Sequence, residues 1–427
     1  MLLILMFLIL LVFNVPIMIA LGVASVGYCL IFDPMPISMI MSTYFSSLDS
    51  FPIIAVPFFI LAGELMMQGG ISTRLINFCR SLVGAVIGAL GCVTVVASML
   101  FASVAGSGSA TVACIGGITI PEMLRERYDK GFACALAAVS GTLGPIIPPS
   151  VTMILYGVVC SVSITKLFIA GIVPGILITI GLTWLVLRMS KARSYGLSPE
   201  ETAKLRVPLA TSFKEAFWSI LIPTIILGGI YGGIFTPTEA AVVACVVAMF
   251  VGMFIYKEYT FRELPKVFQK ATLTSGTILL LVACATALGR VLTAEQIPEQ
   301  VAESLLTITT NKYLLLFIVN VFLLVVGMFM ETYACLLILA PVLLPAVEAV
   351  GVEPLHFGII LTVNLSIGLC TPPVGVNVFI ASRIGNCSIE DIFKNIPPFL
   401  GILIGVLMLI TYIPPLTMWL PTVLIGK

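Results

Sequence analysis

Charge is scarce in this chain. Asp, Glu, Lys and Arg make up 10% of its 427 residues, where a soluble domain carries about 25%. The two signs nearly cancel, at a net charge of +1, so nothing draws nucleic acid or an acidic surface and no nucleic-acid partner is expected. Histidine is scarcer still. His356 is the only one, which argues against a histidine-ligated metal centre or a histidine-based catalytic triad. The eleven cysteines include no CxxC pair. Most sit in apolar runs, where Cys behaves as a small hydrophobe, so neither disulfides nor a transition-metal site is expected.

What is present is apolar length. Hydrophobic residues make up 60% of the chain, and runs of spanning length recur, for example 82–102, 167–189, 217–235, 240–256 and 400–420. A span needs about 20 apolar residues, so this is an all-α, polytopic membrane protein. The opening MLLILMFLIL has no basic flank and no clear cleavage site. It reads as the first span, 1–14, rather than as a signal peptide.

The polar stretches between the runs differ in charge. Segments 71–81, 122–130, 188–215, 257–270 and 383–395 carry Lys or Arg, whereas 33–50, 294–311 and 346–356 carry acids and no base. Short basic loops stay in the cytoplasm. That places the first group inside and the second, with 161–166, outside. Between 81 and 122 the chain leaves the cytoplasm and returns with no hydrophilic outer loop. SVAGSGSAT at 103–111 interrupts it, so a re-entrant hairpin is expected there. The stretch 311–346 does the same from outside, interrupted by GMFMET at 327–332. Two more spans are broken, at SGTLGPIIPPSV (140–151) and SIGLCTPPVGVN (366–377), because Pro removes a backbone donor and clashes with the preceding turn.

A shift of 224 residues overlays Pro121 on Pro345, Pro148–Pro149 on Pro372–Pro373, Pro174 on Pro398 and Gly144 on Gly368. The loop charges reverse between the copies: 122–130 and 71–81 are basic, while 346–354 has no base and 294–304 is acidic. Inverted repeats with interrupted helices at the bilayer midplane mark secondary transporters. The expected organisation is a first repeat over 1–189, a cytoplasmic linker over 190–215 and a second repeat over 216–427. Each repeat has scaffold spans, an interfacial arm (71–81 or 294–311), a hairpin and a broken span. Pro16 and Pro237 are expected to kink spans at similar places.

Unwound backbone at membrane depth persists only inside protein or beside a wet cavity. Its carbonyls, with Ser and Thr hydroxyls, can replace the water shell of a small hard cation. A single Gly/Ser cluster reads first as close helix packing. Two clusters, each followed by a Pro–Pro break in an inverted repeat, favour two cation sites flanking a substrate. Helix N-termini at the tips offer N–H groups and positive dipole ends, which can hold an anion without an arginine. Four charges fall within spans: Glu64, Glu239, Arg290 and Glu331. Any such charge is a functional candidate. Glu331, at the second tip, is the one expected to touch ion or substrate. Glu239 in TPTE fits a capping pattern, Arg290 near an outer end fits snorkelling, and Glu64 is expected to pair with a neighbour. The GxxxG spacings Gly84/Gly88 and Gly228/Gly232 read as helix contacts.

AGSGSATVACIGGITIPEM, GTLGPIIPPSVTMILYG and LCTPPVGVNVFIA, in that order, resemble the large membrane subunit of tripartite ATP-independent periplasmic (TRAP) transporters, and the resemblance covers essentially the whole chain. It implies a multi-pass protein of the bacterial inner membrane that is not an enzyme. It also implies two partners, a small four-helix membrane subunit and a periplasmic substrate-binding protein. Uptake of a small anionic organic acid, of sialic acid or C4-dicarboxylate type, would be driven by sodium through an elevator movement. Carried onto this chain, the family's cation sites fall at Ser103, Gly106, Ser107, Gly141, Thr142 and Gly144, and at Gly327, Met328, Gly368, Thr371 and Pro372. GMFMET is the less polar tip, so backbone carbonyls would dominate there. The substrate is expected against Ser107, Ser109, Pro148, Pro149, Glu331, Thr332, Pro373 and Asn377. Three other readings stay open: a stand-alone sodium–carboxylate symporter, a passive channel, and an intramembrane hydrolase using a GSGS serine, which would lack a histidine to activate it.

Overall fold

A computed structural model describes residues 2–13, 15–204 and 207–426. Met1 and Asn14, the ends of the expected first span, and Leu205 and Arg206 of the expected linker lie outside the described residues. Every regular element among the described residues is helical. The chain begins with Leu2–Val12 (α1), Ile17–Phe32 (α2), Ile37–Ser46 (α3), Ala55–Gln68 (α4) and Ile71–Val83 (α5). Ala89–Ala105 (α6) is followed by Gly108–Thr111 (α7), which passes through a π-helical turn, Val112–Gly116, into Gly117–Arg125 (α8). Then come Lys130–Ser140 (α9), Leu143–Ile146 (α10), Val151–Val159 (α11), Ile164–Arg193 (α12) and Pro199–Lys204 (α13). The rest comprises Leu209–Tyr231 (α14), Pro237–Phe250 (α15), Leu264–Ala294 (α16), Ile297–Ile308 (α17), Lys312–Gly327 (α18) and Thr332–Ala349 (α19). Pro354–Gly368 (α20), Val376–Gly385 (α21), Ile389–Asn395 (α22), Pro397–Tyr412 (α23) and Pro415–Ile425 (α24) close it.

Five of the described helices are each long and apolar enough to cross a bilayer, and eight if three bent pairs count as single spans. Two bodies face each other. In one, α4 packs on α15 and α16, and α16 also on α2 and α3; in the other, α6 packs on α9, α10 and α12, and α20 on α18, α19 and α23. The bodies meet where α4 touches α6 and where α16 touches α19.

The helix starts follow local chemistry. Asp129, Ser150, Ser163 and Asn311 each accept a backbone N–H from the first turn of the helix they precede, which satisfies donors that have no partner within the helix. Thr236 and Glu239 form a reciprocal capping box on α15, as the TPTE pattern suggested. Pro237 is therefore the first residue of α15, and Pro16 immediately precedes α2. Neither kinks a span, because a proline at a helix start lacks only an N–H that would go unpaired anyway. The GxxxG expectation holds only at Gly88. Gly84 and Gly88 sit in the turn between α5 and α6 with positive φ (79° and 83°), a Cβ on Gly88 would lie 2.6 Å from Ser190 Cβ of α12, and Cβ atoms on Gly84 and Gly228 would meet nothing within 4 Å.

The five basic segments converge on one face. Arg80 pairs with Glu122 (2.8 Å) and Glu126 (3.2 Å), Arg74 with Glu258 (2.8 Å) and Arg127 with Glu201 (3.9 Å). Arg193 donates to Asn395 Oδ1 (3.1 Å). These pairs are partly exposed and individually worth little. Their value is topological, since they bring 71–81, 122–130, 188–215, 257–270 and 383–395 to the same side.

Candidate functional site

The first interruption is shorter than its sequence suggests. α6 ends because Gly106 turns left-handed (φ 58°). A Cβ there would lie 2.9 Å from the Pro149 carbonyl oxygen, so both conformation and space select glycine. Ser107 is extended (φ −137°, ψ 134°), and Gly108 already opens α7. Only Gly106 and Ser107 are non-helical, so the expected hairpin tip is two residues long. The remaining hydroxyls bond back into their helices, Ser103 to Leu100 O (2.6 Å) and Thr111 to Ser107 O (2.8 Å). The Ser107 and Ser109 hydroxyls lie 3.1 Å apart.

The second interruption, 328–331, follows Gly327 and ends at Glu331, which is extended (φ −67°, ψ 145°) immediately before α19. Ser107 and Glu331, 224 residues apart, thus hold the same place at two tips. Gly108 and Arg125 stand at that same interval from Thr332 and Ala349, the bounds of α19. Tyr333 and Ser107 line the same cavity, which brings the tips together.

Each tip rests on a broken span. A Cβ on Gly144 would lie 2.4 Å from the Ser107 carbonyl carbon, and one on Gly368 2.4 Å from the Gly327 carbonyl oxygen. The Pro148–Pro149 and Pro372–Pro373 bonds are both cis. The Asn377 side chain, fully buried on α21, crosses into the first break. Its Nδ2 donates to Ala138 O (3.1 Å), and Cβ atoms built on Gly141 and Gly108 would lie 2.9 and 3.4 Å from that nitrogen. Among the described residues, Asn377 Oδ1 and the Ser140 and Thr332 hydroxyls are buried without a hydrogen-bond partner. Thr142 and Thr371 donate their hydroxyl protons to Val139 O and Ile367 O, each at 2.7 Å.

A cavity of about 570 Å³ lies between the two bodies. Ser107 and Ser109 come from one tip, Glu331 and Tyr333 from the other, Gly63, Glu64 and Met67 from α4, and Lys270, Thr274 and Thr277 from α16. Lys270 corrects the sequence reading. It is not in a cytoplasmic loop, because α16 begins at Leu264, and its Nζ lies 2.8 Å from Glu64 Oε2. Glu64 is paired as expected, but by a cation the sequence reading had placed outside the membrane. The signal was the spacing Lys270, Thr274, Thr277, Leu281, one face of a helix that extends a turn and a half into the segment read as loop.

The expected residues divide. Ser107, Ser109 and Glu331 line this cavity. Ser103 and Pro148 line a different space of about 300 Å³, against Pro223 and Thr224 of α14. Gly106, Gly141, Gly144 and Pro149 pack around the first tip, and Gly327 and Gly368 around the second. Thr332 and Asn377 are buried behind the tips, whereas Pro372 and Pro373 are exposed and Met328 half-buried. His356 is far from this chemistry. Its ring contacts the Thr417 hydroxyl (2.7 Å) and Thr411 O (3.4 Å).

The sequence model for the DctM component of tripartite ATP-independent periplasmic transporters matches residues 4–416. The chain belongs to that family. Similar proteins include the isethionate TRAP transporter permease of Oleidesulfovibrio alaskensis, 42% identical over 96% of this chain and 64% of that protein. The C4-dicarboxylate large permease of Rhodobacter capsulatus is 36% identical, with 96% of each chain covered. The sialic acid large permease of Vibrio cholerae is 37% identical over 89% of this chain and 88% of its own. This chain therefore spans somewhat less than two thirds of the isethionate relative and nearly all of the C4-dicarboxylate one. The crystal structure of the Alcanivorax borkumensis YdaH transporter shares the fold, with a TM-score of 0.65 at 17% identity over 88% of each chain. As a DctM-family member this is a multi-pass, inner-membrane subunit of the large-permease type.

Proposed function

We propose that this chain is the sodium-coupled, substrate-translocating subunit of a tripartite importer of small organic anions. It would work with a small four-helix membrane subunit and a periplasmic binding protein that delivers the substrate. The relatives' substrates, isethionate, C4-dicarboxylates and sialic acid, share a compact anionic head, and that is the substrate class proposed here. The observation that carries the reading is the meeting of Ser107 and Glu331, from tips 224 residues apart, in one cavity between two bodies.

The charge of that cavity supplies a reason for ion coupling. Its charged lining residues are Glu64, Glu331 and Lys270, a formal balance of −1. A further anion 4 Å from an uncompensated carboxylate meets about 4 kcal/mol of repulsion at an effective dielectric of 20. Cations that bind with the substrate remove that penalty. The oxygen donors behind the tips suit a hard cation such as sodium, namely the Gly108 and Gly141 carbonyls with the unpartnered Asn377 Oδ1 and Ser140 hydroxyl. Asn377 is thus better assigned to the ion than to the substrate.

The two arms support an elevator movement. α5 packs along α6, the helix entering the first tip, whereas α17 packs along α19, the helix leaving the second. In an inverted repeat, exchanging those two pairings generates the opposite-facing state, with the tips carried together past α4 and α16.

The test is uptake by the complete reconstituted complex with and without a sodium gradient. Ser107→Ala is expected to weaken apparent sodium affinity by about tenfold, the scale of one polar contact. Ser103→Ala is expected to weaken it less, because the Ser103 hydroxyl bonds Leu100 O and the residue lines a different space. Unchanged sodium dependence in Ser107→Ala would reduce the first tip to a packing device. Glu331→Gln is expected to alter both the rate and the number of cations needed per anion. Wild-type transport in that variant would remove Glu331 from the site. Uptake by this chain alone, with no binding protein, would point to a stand-alone symporter.

A further inference from the structure

A second cavity, of about 710 Å³, lies at the other end of α16. It is lined by α3 and the segment after it, the C-terminal turns of α16, the end of α11, and Leu337 and Pro341 of α19. Its polar side chains are Ser46, Ser47, Ser50, Thr286, Thr293 and Arg290, and Arg290 is the only charged one. Lys270 and Arg290 are 20 residues apart on one helix, about 30 Å, which is the thickness of the bilayer core. α16 thus sets one cation in each of two cavities on opposite sides of the tips. Lys270 stands with the basic loops; Arg290 stands with 33–50 and 294–311, the segments that have no base.

The two cations differ in partner. Lys270 is neutralised by Glu64 at 2.8 Å. Among the described residues, no carboxylate lies within ion-pair distance of Arg290. Arg290 lines a largely apolar cavity together with the hydroxyl-bearing Ser46, Ser47, Ser50, Thr286 and Thr293. A planar guanidinium in such surroundings matches a carboxylate or sulfonate, which it binds through two parallel N–H donors.

We propose that this outer cavity is an anion-accepting vestibule, in which Arg290, with the Ser50 hydroxyl in the same lining, receives the anionic head of the substrate before the tips do. The inference rests on the import reading above and adds an earlier site to it. Arg290 sets the affinity of first capture, and Leu281 and Ala285, between the two cavities on α16, close the vestibule from the inner one.

The test places a single reporter thiol in the vestibule, Ser47→Cys or, as a second position, Thr293→Cys, in a Cys160→Ser background within the full complex. The reporter is labelled with an anionic sulfonatoethyl or a cationic trimethylammonium methanethiosulfonate. The anionic reagent is expected to react about tenfold faster relative to the cationic one when Arg290 is present than in Arg290→Gln, with Arg290→Lys intermediate. Isethionate, succinate or N-acetylneuraminate is expected to slow labelling only when Arg290 is present, and Arg290→Gln is expected to raise KM for uptake about tenfold or more with little change in kcat. Labelling that ignores both Arg290 and every anion, at both positions, overturns the vestibule while leaving import intact. Arg290-dependent labelling and protection in a complex that moves none of these acids would instead sink the import reading and leave the vestibule standing.

Discussion

Gly144→Ala and Gly368→Ala are each expected to abolish uptake and to lower the thermal stability of the purified complex. At Gly144 the added methyl would sit 2.4 Å from the Ser107 carbonyl carbon and oxygen and 2.7 Å from Gly108 N. At Gly368 it would sit 2.4 Å from Gly327 O and 2.9 Å from Gly327 Cα. These neighbours are backbone, so no rotamer change can relieve the clash. Overpacking a close-packed interior costs about 1–3 kcal/mol even where side chains can give way, and here the alternative is to push a tip off its broken span. Gly401→Ala is the control, since a Cβ there meets nothing within 4 Å. It should leave transport unchanged and stabilise α23 by up to about 1 kcal/mol. Normal uptake in either tip variant would show that the tip and the break do not need their close contact.

Asn377→Leu is expected to separate ion binding from stability. The amide is fully buried, with one hydrogen bond to Ala138 O and an Oδ1 without a partner. The leucine removes the unpartnered Oδ1 but also leaves the buried Ala138 carbonyl without its donor, which costs about 1–3 kcal/mol. Without sodium, then, the variant should melt somewhat below the wild-type temperature. With sodium, the wild type should gain stability through binding to the folded state alone. The variant should lose most of that gain, with its apparent sodium affinity for uptake weakened by about tenfold or more. A sodium-induced shift equal to the wild type's would exclude Asn377 from the ion site.

Much of the architecture was legible before any coordinates. The apolar runs predicted an all-helical, multi-pass chain, because a bilayer leaves no other way to satisfy backbone polar groups except a closed barrel. The breaks at 140–151 and 366–377 were legible because Pro–Pro cannot continue a helix, and the structure bends or stops the helix in both places. The TPTE cap was legible because capping is a contact among four consecutive residues. Local chemistry is what single-sequence reading sees.

The misses share one cause. Lys270 was read as a loop residue because its neighbours are polar and basic, yet the helix begins six residues earlier and carries it into a cavity beside Glu64, 206 positions away in sequence. SVAGSGSAT is the expected hairpin tip, but its unwound part is only Gly106 and Ser107, and the Ser103 and Thr111 hydroxyls bond back to Leu100 O and Ser107 O. Of the GxxxG glycines, Gly84 and Gly228 face open space and Gly88 packs on Ser190 of α12, a partner outside the motif.

By itself the sequence determined the class: a charge-poor, apolar chain with two interrupted segments and two Pro–Pro breaks at a common interval must fold as membrane helices with unwound points at depth. Only the tertiary structure decided which groups share a site. It set Ser107 and Tyr333 in one cavity, Lys270 beside Glu64, Asn377 inside the first break, and Arg290 as the only charged residue lining a second cavity. The physical reason is range. Capping, helix breaking and apolar burial act over a few residues or on overall composition. A binding site is a meeting of groups 100 or more residues apart, set by packing that no local pattern encodes.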